Sequence, residues 1–544
     1  MATARSLLDS MKGNPQARWL MLGLSSAVLI ALGLRVYYAI YMPVWLDEAL
    51  SWRLASMDWT EMWYRLQETG TVHPPLYFAL LRLQMALLGD NPWALRWLSV
   101  ICGTLLVPAA YWFALECLRS AGRGVSAHGQ SLPVGVGMLA AWLVALNPMQ
   151  IHLCCQARGY ALALFLVVAT SSLVLRALRE TRHVWLLWSA YVLLTLAAWY
   201  THYLTMLSSA VQWLYALAVL LIPKCYLFTG TVSTSDPSQP QPVCGWKLTG
   251  LGVSVLTVIA GFIPWASICW TQLSHARVAW HRPLMPAELT GEWGRALAGS
   301  FFDPPHFELN VLDIGVVLVV ALASVWAVLR VRPAGYLLLL QAWLPPVLLG
   351  IVSWLSPRNV YSARYFFAAE FTWIILLAML ILDSVWQWER WIISLVALIL
   401  MTIALATRSD WQYLGKSVGM AAVRDYIAEQ WQDGDIVLAE NPADFLVARY
   451  YFRACEIPVY LYGTSSSRQG YRGRTHLLDD DLCTREQLVQ WRPQRIWYLR
   501  SGAYGVFPRL DLPEPWKNQE TRAFARPFYL EGPLYLTRYR RQDK

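Results

Sequence analysis

The stretch that decides the fold is residues 73–89, HPPLYFALLRLQMALLG. It is apolar, yet it carries Arg82 and Gln84 near its middle. A membrane-crossing helix needs about 20 predominantly apolar residues, and a centred Arg costs roughly 2.5–3.5 kcal/mol on insertion. We therefore predict that 73–89 lies along a membrane interface and does not cross the bilayer.

The composition of the whole chain requires a membrane. Of its 544 residues, 57% are hydrophobic and 15% are charged, and the mean hydropathy is +0.37. Such a balance excludes soluble globular and disordered proteins. The 30 Trp and 27 Tyr are typical of aromatic belts at membrane interfaces. In a membrane protein, a surplus of Lys and Arg such as this net charge of +9 serves to orient the loops across the bilayer. No nucleic-acid partner is therefore predicted.

Apolar runs near the length of a bilayer crossing predict a polytopic α-helical membrane protein with about 11 transmembrane helices. The first run follows a basic segment and, at about 24 residues, is too long for a signal-peptide core, so we interpret it as a retained span. The predicted spans are 19–42, 94–117, 134–152, 157–178, 183–201, 203–222, 248–271, 310–331, 335–355, 364–383 and 389–407.

The basic loops orient these spans. If 73–89 does not cross, one set of basic loops falls entirely on the N-terminal side, which is the cytoplasmic side by the positive-inside rule. The residues concerned are Arg119, Arg123, Arg176, Arg179, Arg182, Lys224, Lys247, Arg330, Arg332 and Arg390. The transmembrane domain, 1–407, then has two large external loops, 43–93 and 272–309, and residues 408–544 are external as well.

The composition changes after residue 407 to charged sequence with Pro, Gly and short apolar runs. These runs, GDIVLA (434–439), IPVYLY (457–462), RIWYL (495–499) and PLYLTRY (533–539), predict strands. We therefore expect residues 408–544 to form an external soluble α/β domain. Whether its Cys455 and Cys483 form a disulfide is left open, because pairing depends on the compartment.

A candidate acid–base pair follows the first span directly, in VWLDEALSW (44–52). Asp47 and Glu48 stand in an apolar, aromatic neighbourhood, and desolvation makes a carboxylate more basic. A carboxylate so placed could take the proton of an attacking hydroxyl or amine. The alternative is that the two acids only keep an external loop hydrated.

Candidate phosphate-binding residues occur at the predicted outer boundary. His73 precedes two prolines that fix the entry into the interfacial helix, and a cationic or donating His there could hold a phosphate. Arg158 in CCQARGYAL (154–162) needs an anionic partner at that depth. Lipid phosphate and substrate phosphate both fit Arg158.

A second group of such residues lies in SPRNVYSARYF (356–366). Arg358, Arg364 and Tyr365 together could clamp a phosphate, although interface anchors would show the same composition. The loop 272–309 is rich in ionisable residues but shows no ligand spacing, and we assign no roles within it. The nine cysteines likewise lack metal-ligand spacing.

The motifs occur in a recognisable order. Asp-Glu after the first span, HPPLY, ALRWLSVICGTLLVPAAYWFA (94–114), QARGYAL and ARYF together resemble the GT-C glycosyltransferase superfamily, specifically bacterial relatives of the protein O-mannosyltransferases and aminoarabinose lipid A transferases. The resemblance extends over nearly the whole chain. It implies a glycosyltransferase of the bacterial cell inner membrane that moves a sugar from a polyprenyl-phosphate carrier to an acceptor of the cell envelope, on the external face and usually with inversion.

The resemblance also assigns roles. Asp47 matches the acid that deprotonates the acceptor, and Glu48 matches the second acid of the pair. His73 occupies the position that faces the carrier phosphate, and Arg158 and Arg364 stand in the motifs nearest that phosphate. The resemblance assigns the acceptor to no single class, because a lipid, a glycan and a protein all fit.

One departure from the family concerns metal binding. Relatives commonly carry QEAR where this chain has Gln156 before Ala157 and Arg158. An acid that could bind a divalent metal is therefore an amide here, which makes metal dependence doubtful, and we assign no metal ligand.

Two other functions remain open. A lipid or glycolipid transporter or flippase would also have many spans and interfacial arginines, but the sequence shows no internal repeat and keeps its conspicuous charges outside the spans. A catalytically inactive relative that acts as an assembly partner is the other alternative, for which Gln156 is the only indication.

Overall fold

We describe the protein from a computed structural model. The residues it describes are 15–68, 72–122, 132–222, 245–275, 311–355, 363–384, 387–463, 476–501, 512–526 and 533–542.

Helices dominate the chain up to residue 407. In chain order they are α1 Pro15–Tyr41, α2 Leu46–Ser56, α3 Trp59–Gln67, α4 Leu76–Leu88, α5 Pro92–Ser120, α6 Leu132–Leu146, α7 Pro148–Cys154, α8 Tyr160–Arg179, α9 Val184–Trp199, α10 Thr205–Leu221, α11 Gly245–His275, α12 Val311–Arg330, α13 Ala334–Leu355, α14 Phe367–Ser384 and α15 Gln387–Ala406.

The polytopic α-helical fold predicted from the sequence is confirmed. Within the described residues, seven helices are long and apolar enough to cross a bilayer, and the bent pair α6–α7 makes an eighth. The three remaining predicted spans coincide with shorter apolar helices, Val184–Trp199, Thr205–Leu221 and Val317–Arg330, whose crossing stays a prediction. The stretch 73–89 forms α4, whose 13 residues span about 20 Å at 1.5 Å per residue, short of a 30 Å hydrocarbon core.

The predicted third span, 134–152, is not one straight helix. The chain bends by 63° between α6 and α7. Asn147 caps the new helix, because its side chain accepts a hydrogen bond from the Gln150 backbone N–H, and Pro148 occupies the first turn. Pro suits a first turn because it has no N–H to satisfy, so the Asn-Pro pair begins a second helix at this point.

A buried arginine stabilises the other side of this break. Arg35 of α1 has no exposed surface and donates hydrogen bonds to the carbonyls of Val144, at 3.2 Å, and Ala145, at 3.3 Å. The last carbonyls of a helix lack partners within it. Arg35 supplies those partners, and the carbonyls in turn satisfy a cation that would otherwise be costly at this depth.

The C-terminal region contains a six-stranded sheet in the order β3-β2-β1-β4-β6-β5. β2 and β4 pair with β1 in parallel, as β3 does with β2, whereas β6 pairs antiparallel with β4 and β5. The elements are α16 Met420–Ala428, β1 Ile436–Ala439, α17 Pro442–Phe452, β2 Val459–Tyr462, β3 Leu482–Cys483, α18 Arg485–Trp491, β4 Arg495–Ser501, β5 Trp516–Phe524 and β6 Leu534–Arg541.

This region has the predicted α/β composition. All four residues of β1 are buried, as expected for a parallel strand covered on both faces. Cys455 is exposed, Cys483 is buried in β3, and both are free thiols. The disulfide that the sequence left open is therefore not formed.

Different connections between helices lie at the two ends of the helical bundle. At one end, the backbone N–H of Leu76, which opens α4, donates to the carbonyl of Tyr200 after α9 at 2.9 Å. At the other end, Arg179 of α8 contacts Glu116 of α5 at 2.5 Å, and Lys247 of α11 donates to Leu178 of α8 at 2.5 Å. The loops with the sequence motifs thus lie at the end of the bundle opposite the connections that carry the Arg and Lys residues.

Candidate active site

The two acids that follow α1 lie in the first turn of α2. Acidic side chains suit this position because unpaired backbone N–H groups give a helix N-terminus a partial positive charge. Asp47 is 9% exposed and Glu48 is 1% exposed. Adjacent residues on a helix point about 100° apart, since a turn takes 3.6 residues, so the two carboxylates have different partners.

Asp47 lies in a cluster of the predicted site residues. Its Oδ2 accepts a hydrogen bond from Nη1 of Arg364 at 2.8 Å and is 3.9 Å from Nη2 of Arg158. The same Nη2 is 2.8 Å from Nε2 of His73. The Arg364 guanidinium also lies 5.5 Å from the centre of the Tyr365 ring, within cation–π range. The fold thus brings Asp47, His73, Arg158, Arg364 and Tyr365 together from four separate connections.

His73 is neutral in this arrangement. A guanidinium can only donate, so Nε2 of His73 must accept from Arg158. Burial, with the charge of Arg158 acting in the same direction, lowers the pKa of His73 well below its ordinary value. The cationic form that the sequence allowed does not fit, and His73 orients the guanidinium of Arg158.

Glu48 holds the surrounding backbone. Nε and Nη2 of Arg96 donate to its two carboxylate oxygens at 2.7 and 2.5 Å, and the backbone N–H of Ala157 donates to Oε1 at 2.8 Å. Arg96 also donates to three carbonyls that precede α2, those of Ala39, Met42 and Pro43. The pair ties the start of α2 to the residue before Arg158. These contacts are those of a positioning residue, whereas the sequence grouped Glu48 with Asp47 as catalytic.

A small cavity lies beside Arg158. Its volume of about 10 Å³ is room for about one water molecule. The cavity is lined by Ser51, His73, Tyr77, Phe78, Arg158, Gly159, Tyr160, Thr201 and His202. Aromatic rings and one cation therefore surround a space that extends the Asp47 cluster.

His202 is a site residue that the sequence analysis missed. It lies in the turn between α9 and α10, and its Nδ1 accepts from the backbone N–H of Leu204 at 3.3 Å. Its Nε2 is buried and has no hydrogen-bond partner among the described residues. Burial and the nearby guanidiniums lower the pKa of His202 to about 3, so Nε2 carries the proton of a neutral ring. A buried donor without a partner is costly, and the adjoining cavity has room for a water or a ligand atom that could accept from it.

The site does not have the composition of a metal centre. Nε2 of Gln156 lies 2.8 Å from Nε2 of His152. Across the described parts of the chain, no three His, Cys, Asp or Glu side chains lie together as metal ligands would. Because the Asp47 carboxylate is paired with guanidiniums and Glu48 with Arg96, the residues present do not fit a bound cation. Arg358 and residues 276–309 of the predicted external loop lie outside the described residues.

Comparison with known proteins identifies the fold. No protein-family model matches the sequence, and neither does any curated protein. Among solved structures, the chain is similar to apo ArnT from Cupriavidus metallidurans, with a TM-score of 0.50 and 12% identity over 96% of this chain and 98% of that one. An Archaeoglobus fulgidus oligosaccharyltransferase has a TM-score of 0.48 and 11% identity over 88% of this chain and 67% of that one.

These neighbours are GT-C glycosyltransferases. The similarity to apo ArnT, which extends over nearly all of both chains, gives this chain the GT-C glycosyltransferase fold, as its motifs indicated. ArnT has also been solved bound to undecaprenyl phosphate, with a TM-score of 0.47 and 13% identity over 96% of this chain and 98% of that one.

Proposed function

We propose that this protein is an integral membrane glycosyltransferase that moves a sugar from a polyprenyl-phosphate carrier to a lipid, glycan or protein acceptor of the cell envelope. The observation that carries the proposal is the buried cluster in which Asp47 contacts Arg364 and Arg158 beside a cavity. A base next to two cations is what transfer from a phosphate leaving group needs.

The proposed reaction is a single displacement at the anomeric carbon of the sugar. The acceptor hydroxyl or amine forms a bond to that carbon while the bond from the carbon to the phosphate oxygen breaks. Asp47 takes the acceptor proton, and the leaving phosphate takes the bonding electron pair. Arg158 and Arg364 stabilise the charge that develops on the phosphate.

The present partners of Asp47 suggest an order of binding. In the structure, Asp47 is the anionic partner of Arg364. A phosphate is a better partner for a guanidinium because it offers several charged oxygens in matching geometry. Once Arg364 turns to the phosphate, Oδ2 of Asp47 is released to accept a proton. The base therefore becomes available only after the donor has bound.

The two buried histidines and Tyr365 complete the phosphate site. His202 donates its free Nε2–H to a phosphate oxygen, and His73 holds Arg158 in place for the same phosphate. Both rings are neutral, so the positive charge of the site comes from the arginines. Tyr365 packs its ring against the Arg364 guanidinium and limits where that guanidinium can move.

We place the protein in the bacterial cell inner membrane, with the site and residues 408–544 on the external side. The support is that the sequence motifs share one end of the bundle with contacts from the C-terminal region, such as Arg53 to Asp481 at 2.8 Å. Reporter fusions after residue 407 and within 229–242 should report opposite sides. A report of the same side would overturn the topology and the division at residue 407.

The function is tested by glycolipid and glycan profiles of a deletion strain, in which the missing sugar would identify donor and acceptor. Complementation with wild type should restore that sugar and Asp47→Asn should not. Glu61→Gln is the matched control, because Glu61 lies in the same loop and pairs only with Arg65 on the surface among the described contacts. Restoration by Asp47→Asn would favour the transporter alternative, which needs no base.

A further inference from the structure

The helix that carries Asp47 is held by the C-terminal region as well as by the transmembrane bundle. α17 packs along α2, and polar contacts join the two regions at both ends of α2. With 11 residues, α2 is too short to keep its orientation by itself, since isolated helices of that length are marginal in water. Its orientation therefore depends on these contacts.

Tyr451 of α17 fixes the entry to α2. Its hydroxyl accepts from the backbone N–H of Val44 at 2.7 Å and donates to the Val44 carbonyl at 3.2 Å. One side chain thus satisfies both backbone polar groups of a residue three positions before Asp47. Because buried backbone groups need partners, this contact sets the path of the chain into the helix.

Arg53 fixes the last turn of α2. Its Nη2 donates to both carboxylate oxygens of Asp481, at 3.0 and 2.8 Å, and its Nε donates to the His476 carbonyl at 3.3 Å. The side chains of Arg53 and Asp481 are 11% and 3% exposed. A pair so well shielded from water is costly to break, because either partner would be left as an unpaired buried charge.

Between these ends, Asp90 connects the two regions. Its Oδ2 accepts from Nε1 of Trp52 in α2 at 3.0 Å and from Nε of Arg453 at 2.6 Å. The Arg453 guanidinium covers the Tyr450 ring at 3.8 Å from its centre. Rotation of α2 about its axis would break this set of contacts.

We propose that the C-terminal region positions the catalytic base, with Arg53 and Asp481 as the principal positioning residues. The proposal rests on the function proposed above. The Arg53–Asp481 pair and the Tyr451–Val44 contact hold α2 so that Oδ2 of Asp47 keeps its place between Arg364 and Arg158. A displacement of about 1 Å at a reacting group can reduce a rate by about 100-fold, so loss of this pair lowers kcat although neither residue contacts the substrates.

The test compares three variants of the full-length protein in detergent or nanodiscs. Asp481→Asn removes the charge but keeps an oxygen that can accept from the Leu478 N–H, as Asp481 does. Asp481→Glu restores the charge. Asp435→Asn is the control, because it breaks another well-shielded pair of the same sheet, Asp435 with Arg495 at 2.7 Å, without a contact to α2 among those described.

Two measurements are made on each variant. Hydrogen–deuterium exchange of residues 46–56 reports how firmly α2 is held, and steady-state transfer gives kcat and KM. For Asp481→Asn we expect faster exchange in α2 and a fall in kcat of about 10- to 100-fold with little change in KM for the donor. Asp481→Glu should recover most of kcat, and Asp435→Asn should change neither measurement.

The outcomes separate this inference from the proposed function. Unchanged exchange in α2 of Asp481→Asn would overturn the positioning role, as would faster exchange with an unchanged kcat or an equal loss of kcat in Asp435→Asn. If wild type transfers no sugar, the proposed function fails, and the exchange measurement still decides whether Asp481 holds α2.

Discussion

Each end of the helical bundle contains a buried carboxylate beside arginines, but the two carboxylates lie in different surroundings within the described residues. At the basic end, Glu116 is fully buried. It accepts from Nη1 of Arg179 at 2.5 Å and from Nε1 of Trp112 at 3.3 Å, and Arg119 lies 3.6 Å away. Both oxygens of Glu116 are satisfied, and the contacts join α5 to α8.

At the other end, Asp47 pairs with Arg364 and Arg158, but a cavity adjoins them. The cavity wall includes His202, with its unpartnered Nε2. The comparison teaches that a buried ion pair alone does not indicate a site. An ion pair beside a cavity is a stronger indication, because the cavity gives a ligand group access to the charged side chains.

The largest expected effect is at Asp47. Asp47→Asn keeps the size and hydrogen bonding of the side chain but cannot take a proton, so transfer should fall by about 10²–10⁴-fold, the usual contribution of a general base. Glu116→Gln, the same kind of change at the other end, should leave the turnover of the folded protein unchanged. Transfer rates of the purified variants measure both.

Binding of undecaprenyl phosphate to the same variants provides the control. Asp47→Asn removes the anion that competes with phosphate for Arg364, so its affinity should equal or exceed that of wild type. Transfer by Asp47→Asn at the wild-type rate would contradict the proposed role of Asp47 as the base. A loss of carrier affinity in Asp47→Asn would contradict the proposal that the carrier phosphate replaces Asp47 as the partner of Arg364.

The next largest effect concerns the two arginines. Arg158→Ala and Arg364→Ala should each weaken binding of undecaprenyl phosphate by about 10- to 100-fold, because a hydrogen bond to a charged group contributes roughly 1.5–3 kcal/mol. Arg179→Ala is the matched variant at the Glu116 end and should bind normally. If Arg158→Ala and Arg364→Ala both bind with unchanged affinity, these residues are only interface anchors.

A smaller effect is expected at His202. His202→Phe keeps a ring in the cavity wall but removes the Nε2 donor, and a neutral hydrogen bond contributes about 0.5–1.5 kcal/mol. Carrier affinity should therefore fall about 2- to 10-fold. His202→Gln, which retains an N–H donor, should recover part of the loss. Equal affinity in wild type and His202→Phe would mean that Nε2 faces no phosphate.

The last effect concerns acid stability and not carrier binding or transfer. The pKa of His202 is about 3 in the folded protein and near 6.5 in the unfolded chain. Below pH 6.5 the unfolded state therefore binds the proton first, and stability falls with decreasing pH by up to about 1.4 kcal/mol per unit. Between pH 7.5 and 5, wild type should lose more thermal stability than His202→Gln. The same loss in both would show that His202 is not buried as a neutral ring.

Much of the membrane fold could be predicted from the sequence. Spans such as 157–178 and 248–271 are long apolar runs, and only a helix can cross lipid with all its backbone groups satisfied. The break at Asn147 was missed because α6 and α7 are both apolar. Hydropathy shows that a stretch of sequence is apolar but not that the helix axis bends within it. Arg35 lies within the predicted first span, and its role was not predicted because its partners in α6 are carbonyls more than 100 residues away in the sequence.

Only some residues of the site could be predicted from the sequence. Asp47, Arg158 and Arg364 are charged residues at the ends of apolar runs, and their grouping follows from the topology. His202 lies between two predicted spans, with Tyr203 beside it, and nothing in its neighbourhood distinguishes it from a residue of a short turn. The different roles of Asp47 and Glu48 depend on Arg96, whose partner cannot be identified from spacing.

The capping of α6 by Arg35 has a consequence for the biogenesis of the protein. During synthesis α1 emerges first, and until α6 has been made its guanidinium has the Ala31 carbonyl of its own helix but not the carbonyls of Val144 and Ala145. We expect α1 to stay beside the insertion machinery, shielded from lipid, until α6 and α7 arrive, because an incompletely partnered Arg in hydrocarbon is costly. Photo-crosslinking from a position next to Arg35 should capture that machinery in nascent chains that end after α5 and lose it in those that end after α8. Lipid contact already at the shorter length would contradict this order of assembly.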